Sequence, residues 1–191
     1  MKIGCVVLAG GLARRMGGGD KGLREVQGKP MIKRVLETVA PQVDQLVINA
    51  NGDPARFACF GYDVVGDSID GFVGPLAGVL AGMDALKGCN YILSVPTDTP
   101  FLPHDLVEKL IKPIKTDGME IVMARSGGYD HPVVALWSMD LKEDLRRALI
   151  EEDVRKLKMW VSRYQYTCVE WACDAQDPFF NANRPEDLAG L

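Results

Sequence analysis

Ile3-Gly4-Cys5-Val6-Val7-Leu8 is a short apolar, β-branched run without alternation of polar and apolar positions. A strand solvated on one face alternates, whereas one buried on both faces, as in a parallel sheet, does not. Directly after it comes Ala9-Gly10-Gly11-Leu12-Ala13-Arg14-Arg15-Met16-Gly17-Gly18-Gly19-Asp20-Lys21-Gly22. Those 14 residues hold six glycines, two arginines and a lysine. Glycine lets the backbone turn through φ > 0 and lets an anion approach its N–H groups, while Arg and Lys supply counter-charge. An ordinary surface loop shares the glycines, but the three cations at a strand's C-terminal end point to a triphosphate cradle.

Similar apolar runs recur at Leu46-Val47-Ile48, Tyr62 to Val65, Tyr91 to Val95, Glu120 to Met123, Val133 to Leu136 and Tyr166 to Glu170. Between them lie helical stripes. Ile32, Val35, Leu36 and Val39 form one, stopped by Pro41, and Leu76, Val79, Leu80, Met83 and Leu86 another, opened by Pro75 and closed by Gly88. A third runs from Pro103 to Pro113, a fourth covers about residues 140–150, and Glu151 to Lys158 reads as a charged helix. This alternation predicts an α/β fold, a mostly parallel sheet with helices on both faces. Ligands then sit beyond the carboxyl ends of the strands. With 191 residues and no repeat or linker, one domain is expected: about residues 1–100 for the nucleotide and about 101–191 for a second substrate.

Composition narrows the function. The 22 Lys plus Arg against 26 Asp plus Glu give a net charge of −4, which argues against a nucleic-acid polymer as partner. Five cysteines without a CxxC pair argue against a disulfide framework and a structural zinc site. No apolar stretch approaches the roughly 18 residues of a membrane span, so a cytoplasmic protein with no membrane partner is expected.

Two phosphate-binding motifs are excluded. Gly17 to Gly22 satisfies G-x-G-x-x-G but starts nine residues after the strand ends, and Lys21 lacks the flanking Gly and Ser or Thr of a Walker A loop. After Tyr91 to Val95 stands Pro96-Thr97-Asp98-Thr99-Pro100, where two prolines hold Asp98 at the sheet edge. Asp98 is the first choice for a metal ligand, since Mg²⁺ takes one or two carboxylates plus substrate phosphates and waters. Its alternative role is to cap the helix beginning near Pro103. Asp67 occupies a comparable strand end, suited to the nucleoside, the metal or a simple turn. Asn49 and Asn51 are placed to read a base or ribose, or to cap a turn, and the small residues Gly74, Ala77, Gly78 and Gly82 permit tight packing or close approach of a ligand.

LAGG-x₃-RMGG-x-DK, Asn-x-Asn, Asp67-Ser68, GPLAG, P-x-D-x-P, His131-Pro132-Val133 and a terminal FxNxNxPEDL follow one another from Leu8 to Leu188. Taken together they resemble the molybdenum cofactor guanylyltransferases, the MobA type within the nucleotidyltransferase superfamily. The resemblance implies a Rossmann-like three-layer α/β sandwich with a mostly parallel sheet, of the nucleotide-diphospho-sugar transferase type, and transfer of GMP from GTP to molybdenum-bound molybdopterin, with release of pyrophosphate. By position it implies that Leu8, Ala9, Gly10 and Gly11 line the guanine and phosphate entrance, and that Lys21 binds the triphosphate. Asn49 and Asp67 would contact the nucleoside, and Asp98 both GTP and Mg²⁺. The double glycine of Leu8 to Gly11 looks like the guanylyl branch; cytidylyl and sugar-nucleotide enzymes more often carry LAAG, and a relative using CTP or another acceptor is the alternative. Partners to consider are the proteins that supply the pterin and the molybdoenzymes that receive the product.

In such a transfer the pterin's terminal phosphate attacks the α-phosphorus in line, so no protein nucleophile is needed. Arg15, Lys21 and a metal on Asp98 would neutralise charge. Candidates for the acceptor phosphate are Arg125, His131, Asn181 and Asn183, and the basic stretch Arg155 to Lys158 is either a further candidate or a solvated helix face. Asn183 with Glu186 also fits a helix-capping pattern.

Overall fold

The computed structural model describes residues 1–10, 20–69, 71, 74–173 and 176–182. In chain order its elements are β1 (Ile3–Leu8), β2 (Glu25–Val26), β3 (Lys29–Pro30), α1 (Met31–Val39), β4 (Gln45–Asn49), β5 (Asp63–Val65), α2 (Pro75–Ala85) and β6 (Tyr91–Pro96). Then follow α3 (Leu106–Asp117), β7 (Ile121–Ser126), β8 (Tyr129–Ser138), α4 (Lys142–Ile150), α5 (Leu157–Val161) and β9 (Tyr166–Trp171). Seven strands form one sheet in the order β5-β4-β1-β6-β8-β7-β9, and β2 and β3 form a separate short hairpin. Within the large sheet β8 alone runs against the rest. The expected mostly parallel α/β sandwich is the architecture observed.

β1 lies between β4 and β6, and its side chains serve two cores. Ile3, Cys5 and Val7 pack with Ile32, Val35 and Leu36 of α1 and with Leu106 and Leu110 of α3. Val6 packs on the opposite face with Leu76, Val79, Leu80 and Met83 of α2, beside Leu145 of α4 and Trp160 of α5. Burial on both sides is the physical reason this strand carries no polar alternation. Burial also pushes the Cys5 thiol well above its ordinary value, and all five cysteines are free.

Register brings the ends of four strands into line. Leu8 stands opposite Asn49 on one side and Pro96 on the other, and Asn49 opposite Val65. The loops that follow these residues therefore open onto one edge of the sheet, at the point where the chain, having run outward from β1 to β5, crosses back to β6.

Two sequence expectations are corrected. Pro113 does not stop its helix: α3 continues to Asp117, where Gly118 in the left-handed region donates to the Ile114 carbonyl. Buried Leu110 and Ile114 flank the proline, so packing outweighs the one hydrogen bond it removes. Nor is Glu151 to Lys158 a helix. Asp153 adopts φ 50°, which breaks a helical path, and the buried Val154 turns inward with its N–H on the Ala148 carbonyl. A short helix starts only at Leu157.

Candidate active site

A cleft of about 540 Å³ opens at the aligned strand ends. Leu8, Ala9 and Gly10 line it from β1, Asn49 and Asn51 from β4, Asp67 from the turn after β5, and Thr97 and Asp98 from β6. Lys21, Asp20, Arg56 and the start of α2 at Gly74 and Pro75 complete its wall. That volume suits a ligand the size of a nucleotide. Gly11, Arg15 and Asn183 lie outside the described residues.

Lys21 and Asp98, assigned separate duties on sequence grounds, are ion-paired. The Lys21 ammonium bonds Asp98 Oδ2 and also donates to Asn181 Oδ1 at 2.9 Å. Both side chains are nearly buried, at 10% and 15% exposure. Gly22 makes the approach possible, because a Cβ there would lie 2.7 Å from Thr97 Cβ. The Asp98 loop is itself tied down: Thr97 N–H donates to the Leu8 carbonyl, Thr99 Oγ1 to the Pro96 carbonyl, and Ala182 N–H to the Asp98 carbonyl. Asp98 caps no helix; the cap position of α3 is Asp105. The second carboxylate oxygen, Oδ1, is buried and has no hydrogen-bond partner among the described residues.

On the β4 side two asparagines clasp one acid. Asn49 Nδ2 donates to Asp67 Oδ1 at 3.0 Å and Asn51 Nδ2 to Asp67 Oδ2 at 2.7 Å, while Asn51 Oδ1 accepts from the Asp67 N–H. Asn49, only 4% exposed, also donates to the Val65 carbonyl. α2 passes close by: a Cβ at Gly78 would lie 2.4 Å from Asn49 Oδ1.

The remaining acceptor candidates lie apart from the cleft lining. Arg125 on β7 is paired with Asp130 at 2.6 Å, which holds the Asp130 carboxyl below the usual range. His131 Nε2 meets Ser126 Oγ at 2.7 Å, and that hydroxyl donates to Asp177 Oδ1 at 2.6 Å, so the imidazole Nε2 carries the proton. Burial lowers the His131 pKa although Asp177, Asp130 and Glu170 pull the other way, which keeps the ring neutral near pH 7. The ring also packs on Phe179, with centroids 4.9 Å apart. Asp177 and Phe179 belong to the segment that continues to Asn181, so this network anchors the strap that reaches Lys21.

Sequence reasoning passed over Arg56 and the acid it binds, Asp20. Arg56 sits in a 3-10 segment, Pro54–Phe60, capped by Asp53. Its Nη1 donates to both Asp20 oxygens at 2.7 Å. Nothing local in Asp53-Pro54-Ala55-Arg56 separates it from an ordinary surface turn; only the adjacency of β4 to β1 brings it to the cleft.

Comparison with known proteins agrees with this architecture. The family model for the MobA-like NTP transferase domain matches residues 5–167. A molybdenum cofactor guanylyltransferase of Rhodopseudomonas palustris (strain BisB5) is 54% identical over 188 residues, covering 96% of this chain and 90% of that protein. One from Bradyrhizobium sp. (strain ORS 278) is 50% identical, covering 96% and 89%. Among solved structures, the molybdopterin-guanine dinucleotide biosynthesis protein A of Archaeoglobus fulgidus superposes with a TM-score of 0.76 at 24% identity, covering 98% of this chain and 95% of that one, and so speaks for the fold. A domain match across most of the sequence, and relatives identical at half their positions along nearly all of it, assign this chain to the MobA-like NTP transferase family.

Proposed function

We propose that the chain transfers GMP from GTP to molybdenum-bound molybdopterin, yielding the guanine dinucleotide cofactor and pyrophosphate, as a Mg²⁺-dependent cytoplasmic enzyme. One observation carries the reading: a carboxylate at the strand-end cleft has one oxygen on a nearly buried lysine and the other buried without a partner among the described residues. A buried carboxylate oxygen normally finds a donor, and a hard cation brought in with a polyphosphate answers the deficit.

Asp98 would hold the Mg²⁺ through Oδ1, with the substrate's phosphate oxygens as further ligands. Bound there, the ion supplies Lewis-acid polarisation and offsets the charge of the departing pyrophosphate. The protein's own part is positioning. Lys21, swinging from Asp98 Oδ2 to a phosphate oxygen, would keep an anionic partner throughout. Arg15 is assigned to the same polyphosphate from the glycine-rich loop. Leu8, Ala9, Gly10 and Gly11 would present backbone N–H groups, and Asn49 and Asp67 would hold the nucleoside. The acceptor would enter from the side of the chain beyond residue 100, where Asn181 and Asn183 join Arg125 and His131 as candidates. Nearly all the residues lining the cleft precede residue 100, which supports that division of labour.

The test is to mix the purified chain with GTP, Mg²⁺ and molybdenum-loaded molybdopterin, following pyrophosphate and the dinucleotide. Guanine dinucleotide with stoichiometric pyrophosphate is expected. Faster turnover with CTP would replace the guanylyl assignment, and nucleotide binding without any pyrophosphate would mark a binding protein instead.

A further inference from the structure

Arg56 is the cation in the cleft that the reading above leaves without a task. Its guanidinium is held through all three nitrogens. Nε donates to the Asp53 carbonyl at 3.0 Å, Nη1 to both oxygens of Asp20 at 2.7 Å, and Nη2 to the Asn51 carbonyl. Its Cζ lies over the Phe57 ring, 5.4 Å from the centroid, and Phe57 is fully buried. Nη2 carries two N–H groups, and the second has no partner among the described residues. A donor held this rigidly loses little entropy when it meets a ligand.

We propose that Arg56 reads the O6 and N7 edge of guanine, with Asp20 as the residue that sets its guanidinium in place. The inference deepens the guanylyl-transfer reading and rests on it. Two observations choose the base over the phosphates. The charge of Arg56 is already matched by Asp20, whose side chain is only 10% exposed; surrendering the guanidinium to a phosphate would strand a nearly buried carboxylate. A neutral acceptor such as O6 or N7 takes the remaining N–H without breaking that pair. Arg56 also bonds the backbone of Asn51, the residue that clasps Asp67, the acid assigned to the nucleoside. Asp67 and Arg56, linked through Asn51, offer guanine what its edge needs: an acceptor for N1–H and the 2-amino group, a donor for O6 or N7. Adenine would turn its 6-amino group against the Arg56 N–H, a repulsion that adds to specificity.

The test compares the chain with Arg56→Met and Arg56→Lys by titration with GTP, ATP, CTP, 7-deaza-GTP, 2-aminopurine riboside triphosphate and inorganic tripolyphosphate, all with Mg²⁺. The unsubstituted chain should bind at least one of the analogues lacking N7 or O6 roughly tenfold more weakly than GTP, the loss of one charge-assisted hydrogen bond. In both variants GTP should fall to the level of that analogue, the analogue should not weaken further, and tripolyphosphate should bind unchanged. Equal losses for every ligand, tripolyphosphate included, overturn the inference, as does full recovery in Arg56→Lys, which keeps the charge without the fork. Circular dichroism melting checks folding; if Arg56→Met does not fold, Arg56→Lys carries the comparison alone. An unsubstituted chain that binds GTP no better than CTP and ATP sinks the guanylyl reading and this inference together. GTP preference that survives in the folded variants sinks this inference only.

Discussion

Lys21 and Asp98 neutralise each other at the cleft, so substituting either one also releases the other. Asp98→Ala leaves a nearly buried ammonium with Asn181 as its described partner, and Lys21→Ala leaves a nearly buried carboxylate. Each single substitution should cost roughly a hundred- to a thousandfold in turnover, the range for deleting one stabiliser of developing charge. The double substitution should cost far less than the product of the two, because groups in one ion pair are not additive. Steady-state rates at saturating Mg²⁺ and GTP measure this. Asp98→Ala retaining more than half the rate would remove that residue from the mechanism, and strict additivity would mean the two act independently. The residue types and their strand-end positions were readable in the chain. Their pairing was not, since 77 residues separate them.

At the scale of elements, α2 and β1 are set by glycine. A Cβ at Gly82 would fall 2.6 Å from Val6 Cβ, and Val6 is fully buried in the middle of the sheet. Alanine gains about 1 kcal/mol in helix propensity and overpacking costs about 1–3 kcal/mol, so Gly82→Ala should lower stability by about 1 kcal/mol. Urea unfolding checks it; a stabilised variant would mean that α2 stands off from β1. The small residues at the start of α2 had two readings, tight packing or close approach of a ligand: Gly82 serves packing, while Gly74 and Gly78 line the cleft. Helix ends were the weak point of sequence reading. Pro113 and the run after Glu151 were judged by local rules, and buried neighbours at Leu110, Ile114 and Val154 overrode them.

For the whole molecule, the cleft gathers residues from Leu8 to Val133, and the segment that includes Asn181 and Ala182 is strapped across its edge through Asn181 and the Asp98 carbonyl. A ligand that bridges these parts binds the folded chain alone and must stabilise it. At a hundred times its dissociation constant, GTP with Mg²⁺ should add about 2.7 kcal/mol, which in a chain of this size raises the melting temperature by roughly 5–11 °C. An equal rise with CTP, or none with GTP, would contradict the proposed substrate.

The order of strands and helices and the buried first strand were written in local pattern, because burial on two faces is a property of neighbouring residues. Partnerships across the sheet edge belong to the fold alone: Lys21 with Asp98 and Asn181, Asp67 between two asparagines, Arg56 with Asp20. They arise because strand order and register align Leu8, Asn49, Val65 and Pro96, and spatial order in a sheet is set by crossovers that leave no periodic mark in the chain.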